Sequence, residues 1–282
     1  MGPNVTVKPE FAESFRVDGF VVCRRLLPRD KIRLLAEEGR RILNEHAAIL
    51  ELSDVRATDR ERVALCVHHP HKLSKAILSL AMERSIVEIL TAIVGPTIKM
   101  VQSQFFFKAP GNPGNAWHQD ESAVPTRDRS LVAAWISIDP STELNGCLKV
   151  IPGSHRFGYL YPMTEHGEDD RYDFPDRCTG FDESETISVE TEPGDVVFFD
   201  GYLVHGSERN HSRKYRRALT FHYMNSYSLF PWKLSPASDA SVIRPATLDY
   251  RDVVIVAGED PYAAKGYSNE SRPHLRRWKA RP

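Results

Sequence analysis

Apolar positions change their period about a third of the way along the chain. Up to residue 96 they recur at helical spacing, and from residue 97 they alternate as in strands. Residues 10–17 predict a short helix, stopped at Asp18-Gly19, and residues 20–23 a brief apolar strand. Pro28-Arg29-Asp30 opens a longer helix in which Ile32, Leu35, Gly39, Ile42 and Leu43 fall on one face. A further amphipathic helix, residues 85–94, is closed by Gly95-Pro96. Strand alternation then occupies 98–108, 131–139, 147–151, 186–190, 196–200, 203–207 and 217–224. Turn residues divide these runs, among them Gly111-Asn112-Pro113-Gly114, Asn145-Gly146, Pro152-Gly153 and Pro193-Gly194-Asp195. Helices followed by many strands, without alternating βα units, predict a mainly β fold. The expected architecture is an antiparallel double-sheet barrel with a helical buttress.

No linker or repeat divides the 282 residues, so one domain is expected. Its parts are a helical region of about 1–96, a barrel core of about 97–227 and a C-terminal extension of about 228–282. The polar, acidic and aromatic segment 161–185 reads as an insertion over the barrel mouth, where lids lie. The 37 basic and 38 acidic side chains leave a net charge of −1, which argues against nucleic acid or an anionic membrane as partner. The basic run Arg272, His274, Arg276, Arg277, Lys279 and Arg281 is expected to be a solvated tail. Cys23, Cys66, Cys147 and Cys178 have no paired spacing, and three of them sit in apolar surroundings as reduced, buried thiols would. With no apolar run of membrane-spanning length and no secretory apolar segment, a cytoplasmic setting is expected.

Chemistry concentrates in His118-Gln119-Asp120, in His205 and in Arg216. Two imidazoles and one carboxylate hold a non-haem Fe(II) by one face and leave the opposite positions open for a cosubstrate and O2. Residues i and i+2 of an extended segment point the same way, so His118 and Asp120 reach one cation. A similar triplet, His166-Gly167-Glu168, lies in a hydrophilic stretch without packed support and reads as solvated surface. A lone histidine such as His205 is usually a satisfied core residue, but Gly206 beside it permits close backbone approach to a ligand. Arginine is a permanently charged fork suited to a carboxylate. Arg216 and Arg217 cannot both face inward, and either is a candidate surface cation. Strand parity groups Arg216, Ala218, Thr220 and His222 as a small and polar set, suited to a barrel interior around a cosubstrate. The other face, Arg217, Leu219, Phe221 and Tyr223, suits packing against helices.

Several segments in register carry a resemblance. They are Phe107-Lys108, His118-Gln119-Asp120, Ala134-Trp135-Ile136, Asn145-Gly146-Cys147-Leu148, Ile151-Pro152-Gly153-Ser154-His155, Pro193-Gly194-Asp195, His205-Gly206-Ser207 and Arg216. Over roughly residues 18–227 the chain resembles the phytanoyl-CoA dioxygenase family of Fe(II)/2-oxoglutarate-dependent oxygenases. The resemblance implies a double-stranded β-helix, the jelly-roll relative of cupins. It implies His118, Asp120 and His205 as iron ligands and Arg216 and Ser207 on the distal carboxylate of 2-oxoglutarate, with Lys108 and Trp135 lining its pocket. It also implies hydroxylation of an aliphatic C–H bond with O2, releasing succinate and CO2.

The residues themselves say less at these last positions. Gln102, Gln104, Phe106 and Lys108 share one strand face, so Lys108 either enters the site or snorkels at the rim. Trp135 shares the smaller, more polar face of its strand with Ala133 and Ser137, and core packing is the other reading. Gln104, Phe106, Trp117, Arg127 and the 161–181 insertion are the expected substrate contacts. His155 reads as a structural turn residue, and His68, His69 and His71 as a loop before a helix, one of them with a possible view of the substrate. A small or medium-sized metabolite is the expected partner: an acyl-CoA, an amino-acid-like molecule, a phosphonate or a natural product. The competing readings are a cupin-like metal hydrolase or isomerase, and a non-catalytic metabolite-binding protein of the same fold.

Overall fold

Alternation of large apolar and small or polar side chains gives each central strand two different faces, and the molecule is built by covering both. A computed structural model describes residues 9–165, 171–173, 176–229, 251–267 and 270–278. The helices are α1 (Pro9–Asp18), α2 (Arg29–Glu45), α3 (Arg60–Val63), α4 (Lys75–Ala81) and α5 (Arg84–Ile93). The first strands are β1 (Phe20–Cys23), β2 (Ala64–His68), β3 (Ile98–Lys108), β4 (Asn115–His118) and β5 (Val132–Ser137). They are followed by β6 (Leu148–Val150), β7 (Met163–Glu165), β8 (Asp176–Cys178), β9 (Ile187–Val189) and β10 (Val196–Asp200). Last come β11 (His205–Ser207), β12 (Arg216–Asn225), β13 (Val254–Ala257) and β14 (His274–Arg277).

An eight-stranded sheet runs β1-β10-β5-β12-β3-β2-β14, with β13 also pairing β3, and a four-stranded sheet runs β4-β11-β6-β9. Their strand pairs are antiparallel, and β7 and β8 form a separate ribbon within the 161–185 insertion. This is the jelly-roll arrangement of two sheets face to face with helices outside the larger one. Ile32, Leu35, Ile42 and Leu43 of α2 and Ile86, Ile89 and Leu90 of α5 pack with Phe105, Phe107, Phe198, Leu219, Phe221 and Tyr223 on the outer face. A smaller cluster, including Ala133, Leu148, Val150, Val197, Phe199 and Ala218, lies between the sheets. The parity expected for β12 is thus the observed one.

A bulge changes the phase of β3. Gln102 faces His222 across the ladder and Met100 faces Tyr223, so Val101 is the extra residue. Ile98 and Met100 thereby join Phe105 and Phe107 on the helix side although their numbers differ in parity.

Two expectations are corrected. Residues before His69 are not loop: Ala64–His68 is strand β2, buried along nearly its whole length and therefore without visible alternation. The basic C-terminal run is not a solvated tail in its described part. Its residues 274–277 form β14, in register with β2 from His274↔His68 to Arg277↔Ala64. Lys279 and Arg281 lie outside the described residues, as do His166, Gly167 and Glu168.

Helix α2 lies close to the sheet because Gly39 has no side chain: a Cβ there would sit 2.5 Å from Cζ of Phe105. Helix propensity alone favours alanine over glycine by about 1 kcal/mol. Overpacking against a fully buried ring costs about 1–3 kcal/mol and prevails. Gly39→Ala is expected to lower the urea midpoint of unfolding; an unchanged or higher midpoint would show that the ring yields without cost.

Candidate active site

The two histidines are register partners. His205 on β11 lies opposite His118 on β4, and their ring centroids are 4.1 Å apart. Each ring is fixed by the backbone carbonyl two residues before it. His118 Nδ1 donates to the Ala116 carbonyl at 2.7 Å and His205 Nδ1 to the Leu203 carbonyl at 3.0 Å. A carbonyl can only accept, so both Nε2 atoms are left with a lone pair. Asp120 follows His118 by two residues and begins the turn Asp120–Ser122. Its Oδ1 lies 3.6 Å from His118 Nε2 and 3.7 Å from His205 Nε2. The donor atoms of the three residues all fall within 4.8 Å of one another, and no other such group occurs among the described residues.

Burial pushes the His118 imidazole down to about 4, so it is an unprotonated donor near neutrality. For Asp120 burial acts in the opposite sense, but His222, His205 and His118 around it prevail and hold the carboxyl well below its usual range. A carboxylate and two imidazole lone pairs on one side of a cavity fit a divalent transition metal of the iron type.

Strand parity placed His222 on the inward face, but its bond to the donor set escaped the sequence reading. His222 Nε2 donates to Asp120 Oδ2 at 2.9 Å, and Gln102 Nε2 donates to His222 Nδ1 at 3.3 Å. Its position on the Arg216 face of β12 was the available signal.

A cavity of about 270 Å³ contains the donor triad, and Arg216, Ser207, Lys108, Trp135, Gln104 and Phe106 line it too. Arg216 is only 5% exposed and its Nε has no hydrogen-bond partner. Its guanidinium carbon lies 5.7 Å from the centre of the Trp135 ring. Burial pushes its pKa down to about 10. The neighbouring Arg217 turns outward and takes Asp139, with contacts of 2.8 and 2.9 Å. Ser207 Oγ accepts from Lys108 Nζ at 2.8 Å and from the Asn115 backbone N–H at 3.1 Å, which frees its own proton for a ligand. Lys108 also donates to the Glu208 carbonyl at 2.7 Å. Burial first, then Arg216, push its ammonium well below its usual range.

Trp117 and Arg127 are not where contact with a substrate was expected. Trp117 follows Ala116 and precedes His118, so parity turns it away from the cavity, and it packs edge-on to Phe181 at 5.6 Å. Arg127 is exposed and does not line the cavity. Of His68, His69 and His71, His68 is the one that lines the cavity, and lining residues that sequence reasoning missed include Asp173 and Arg276. His68 stacks on His274 with centroids 4.4 Å apart, and Arg276 on β14 pairs with Asp173 of the insertion at 2.9 Å. His155 serves structure: its Nε2 contacts the Arg16 carbonyl at 3.2 Å, away from the triad.

Two sheets with this donor set between them define the double-stranded β-helix class of non-haem iron, 2-oxoglutarate-dependent oxygenases. The apo form of the non-heme monooxygenase ThoJ has the same fold, with a TM-score of 0.69 at 18% identity, covering 93% of this chain and 87% of that one. So has the epimerase SnoN in complex with Fe3+, alpha ketoglutarate and nogalamycin RO, with a TM-score of 0.63 at 18% identity and coverage of 85% and 94%. The family model described as phytanoyl-CoA dioxygenase (PhyH) matches residues 15–218, and the chain belongs to this family. Phytanoyl-CoA dioxygenase 1 of Oryza sativa subsp. japonica is 29% identical over 56% of this chain and 56% of its own length. The peroxisomal phytanoyl-CoA dioxygenase of Rattus norvegicus is 28% identical over 79% of this chain and 70% of its own. A phytanoyl-CoA dioxygenase of Arabidopsis thaliana is matched over 44% of its length, so the chain spans about half the length of the two plant relatives.

The buried titratable groups fix a pH dependence. Burial depresses His68 to about 3, His69, His71 and His118 to about 4, and also lowers His155. It raises Glu121 to about 7, Asp200 to about 6, and also Asp173. Between pH 6.5 and 4.5 unfolding lets the histidines take up protons, whereas the folded state alone keeps protons on the raised carboxyls. Histidines outnumber carboxyls, so stability falls as pH falls, by about 1.4 kcal/mol per pH unit for each net proton taken up on unfolding. The urea midpoint of the metal-free protein is expected to drop steadily over that range; a midpoint rising towards pH 4.5 would reverse the sign.

Proposed function

We propose that this chain is an Fe(II)/2-oxoglutarate-dependent dioxygenase that hydroxylates an aliphatic C–H bond of a small or medium-sized metabolite. The observation that carries the reading is Arg216: a buried guanidinium, its Nε unpartnered, in the same cavity as a His-Asp-His donor face. A keto acid with a second, distal carboxylate gives that cation the partner it lacks. In this reading His118, Asp120 and His205 hold the iron. Arg216 and the Ser207 hydroxyl bind the distal carboxylate of 2-oxoglutarate. Lys108 orients Ser207, while Trp135 walls the cosubstrate site and covers the face of Arg216.

Bound iron supplies the oxidising power: R–H, O2 and 2-oxoglutarate become R–OH, succinate and CO2. The protein's part is placement. Paired strands hold the donor atoms, and the sheet-to-sheet apolar cluster around Phe199 and Leu148 keeps bulk water from the metal side. With iron bound, the Asp120 carboxylate would fill the place that a halide needs, which favours hydroxylation. Gln104 and Phe106 on the cavity wall offer the substrate one polar and one apolar contact.

The same proposal takes the chain as one domain in the cytoplasm, acting on a small molecule and on neither nucleic acid nor membrane. Four free, buried cysteines support a reducing compartment. No described helix is long and apolar enough to cross a membrane.

Succinate release measured with Fe(II), 2-oxoglutarate and a panel of metabolites tests the reading. His118→Ala is expected to abolish release. Arg216→Ala removes the charged partner of a buried carboxylate and is expected to weaken 2-oxoglutarate by about 30-fold or more. Unaltered turnover in either variant refutes the role given to that residue.

A further inference from the structure

We infer that His222 is a positioning residue that holds Asp120 to one-oxygen metal coordination and so keeps a coordination position open for O2. The inference rests on the metal-site reading proposed above and adds to it a residue outside the donor set.

The geometry is specific about direction. A side-chain amide nitrogen can only donate, so Gln102 Nε2, at 3.3 Å, makes His222 Nδ1 an acceptor. The ring proton is thereby placed on Nε2, which donates to Asp120 Oδ2 at 2.9 Å. Oδ2 is committed to that bond, whereas Oδ1 faces the Nε2 atoms of both His118 and His205. His222 is 2% exposed, so water does not compete for the bond. The β3 bulge matters here: the ladder pairs His222 with Gln102, and the phase shift falls immediately after, between His222 and Tyr223.

Coordination arithmetic gives the bond its consequence. A six-coordinate ion held by three protein atoms has three positions left; a chelating keto acid fills two and one remains for O2. A carboxylate free to turn can bind through both oxygens and fill that last position. Hydrogen bonds to ligating carboxylates orient them in this way generally, and their loss weakens metal binding about 10- to 100-fold.

Mn(II) added to the metal-free protein provides the test, because water-proton relaxation per bound ion counts the waters the ion keeps. Affinity is read from the same titration. His222→Phe is expected to bind Mn(II) at least about 10-fold more weakly and to lose about a third of the relaxation enhancement per bound ion, one water in three. His222→Gln retains a donor for Oδ2 and is expected to keep the wild-type relaxation. Gln102→Leu, which frees the ring to turn, is expected to lower it by less than His222→Phe. An unchanged relaxation per bound ion in His222→Phe overturns the assignment, whatever the affinity does. Should that variant fail to fold, an unchanged value in Gln102→Leu does the same. A wild-type protein that binds no Mn(II) overturns both this inference and the site reading beneath it, whereas loss of succinate release with normal Mn(II) behaviour strikes only the proposed reaction.

Discussion

A guanidinium buried beside no acid of its own is the constraint on which the site is built. Arg216 stands 5% exposed on β12, while Asp139 is occupied by Arg217. Removing an ion from water costs several kcal/mol unless an opposite charge meets it. The chain carries that cost by enclosing the cation in a sandwich whose outer face is heavily apolar, with Phe105, Phe107, Phe221 and Tyr223 packed under the helices. Along the inner face of the same strand, Ala218 and Thr220 are small, which leaves volume beside the arginine for a ligand.

Paired strands do the rest of the positioning. Both histidines are oriented by a carbonyl two residues earlier in the chain, and their strands are neighbours in one ladder. The two imidazoles are therefore held by the sheet, a better support for catalytic geometry than a loop gives. The larger sheet adds His222 from the opposite wall. The two sheets thus meet through apolar packing and through two polar links, His222 to Asp120 and Lys108 to Ser207.

What could be read without coordinates was what period and parity encode. The helix α2 face, the inward set Arg216, Ala218, Thr220 and His222, and the alternation of β3 from Gln102 onward all follow from spacing alone, whereas the bulge at Val101 does not. So did the separation of Arg216 from Arg217. The same rule, applied to β4, would have turned Trp117 away from the cavity, since it adjoins an inward histidine. Strand β2 was hidden because nearly all its side chains are buried and no polar face marks it. The bond between His222 and Asp120 joins residues about a hundred positions apart, and nothing in either neighbourhood announces it. Asp173 and Arg276 were illegible for a similar reason: insertion and C-terminal strand meet only in the folded chain.

The short strand β14 has a bearing on solubility. It ends the larger sheet, and without it the whole hydrogen-bonding rim of β2 would stand open to another polypeptide. Exposed rims of that kind template aggregation, and proteins blunt them with brevity and positive charge. Residues 274–277 are four in number and include two arginines, Arg276 turned to Asp173 and Arg277 held near Asp54. A stretch that looks like a disposable basic tail thus acts as a guard against self-association.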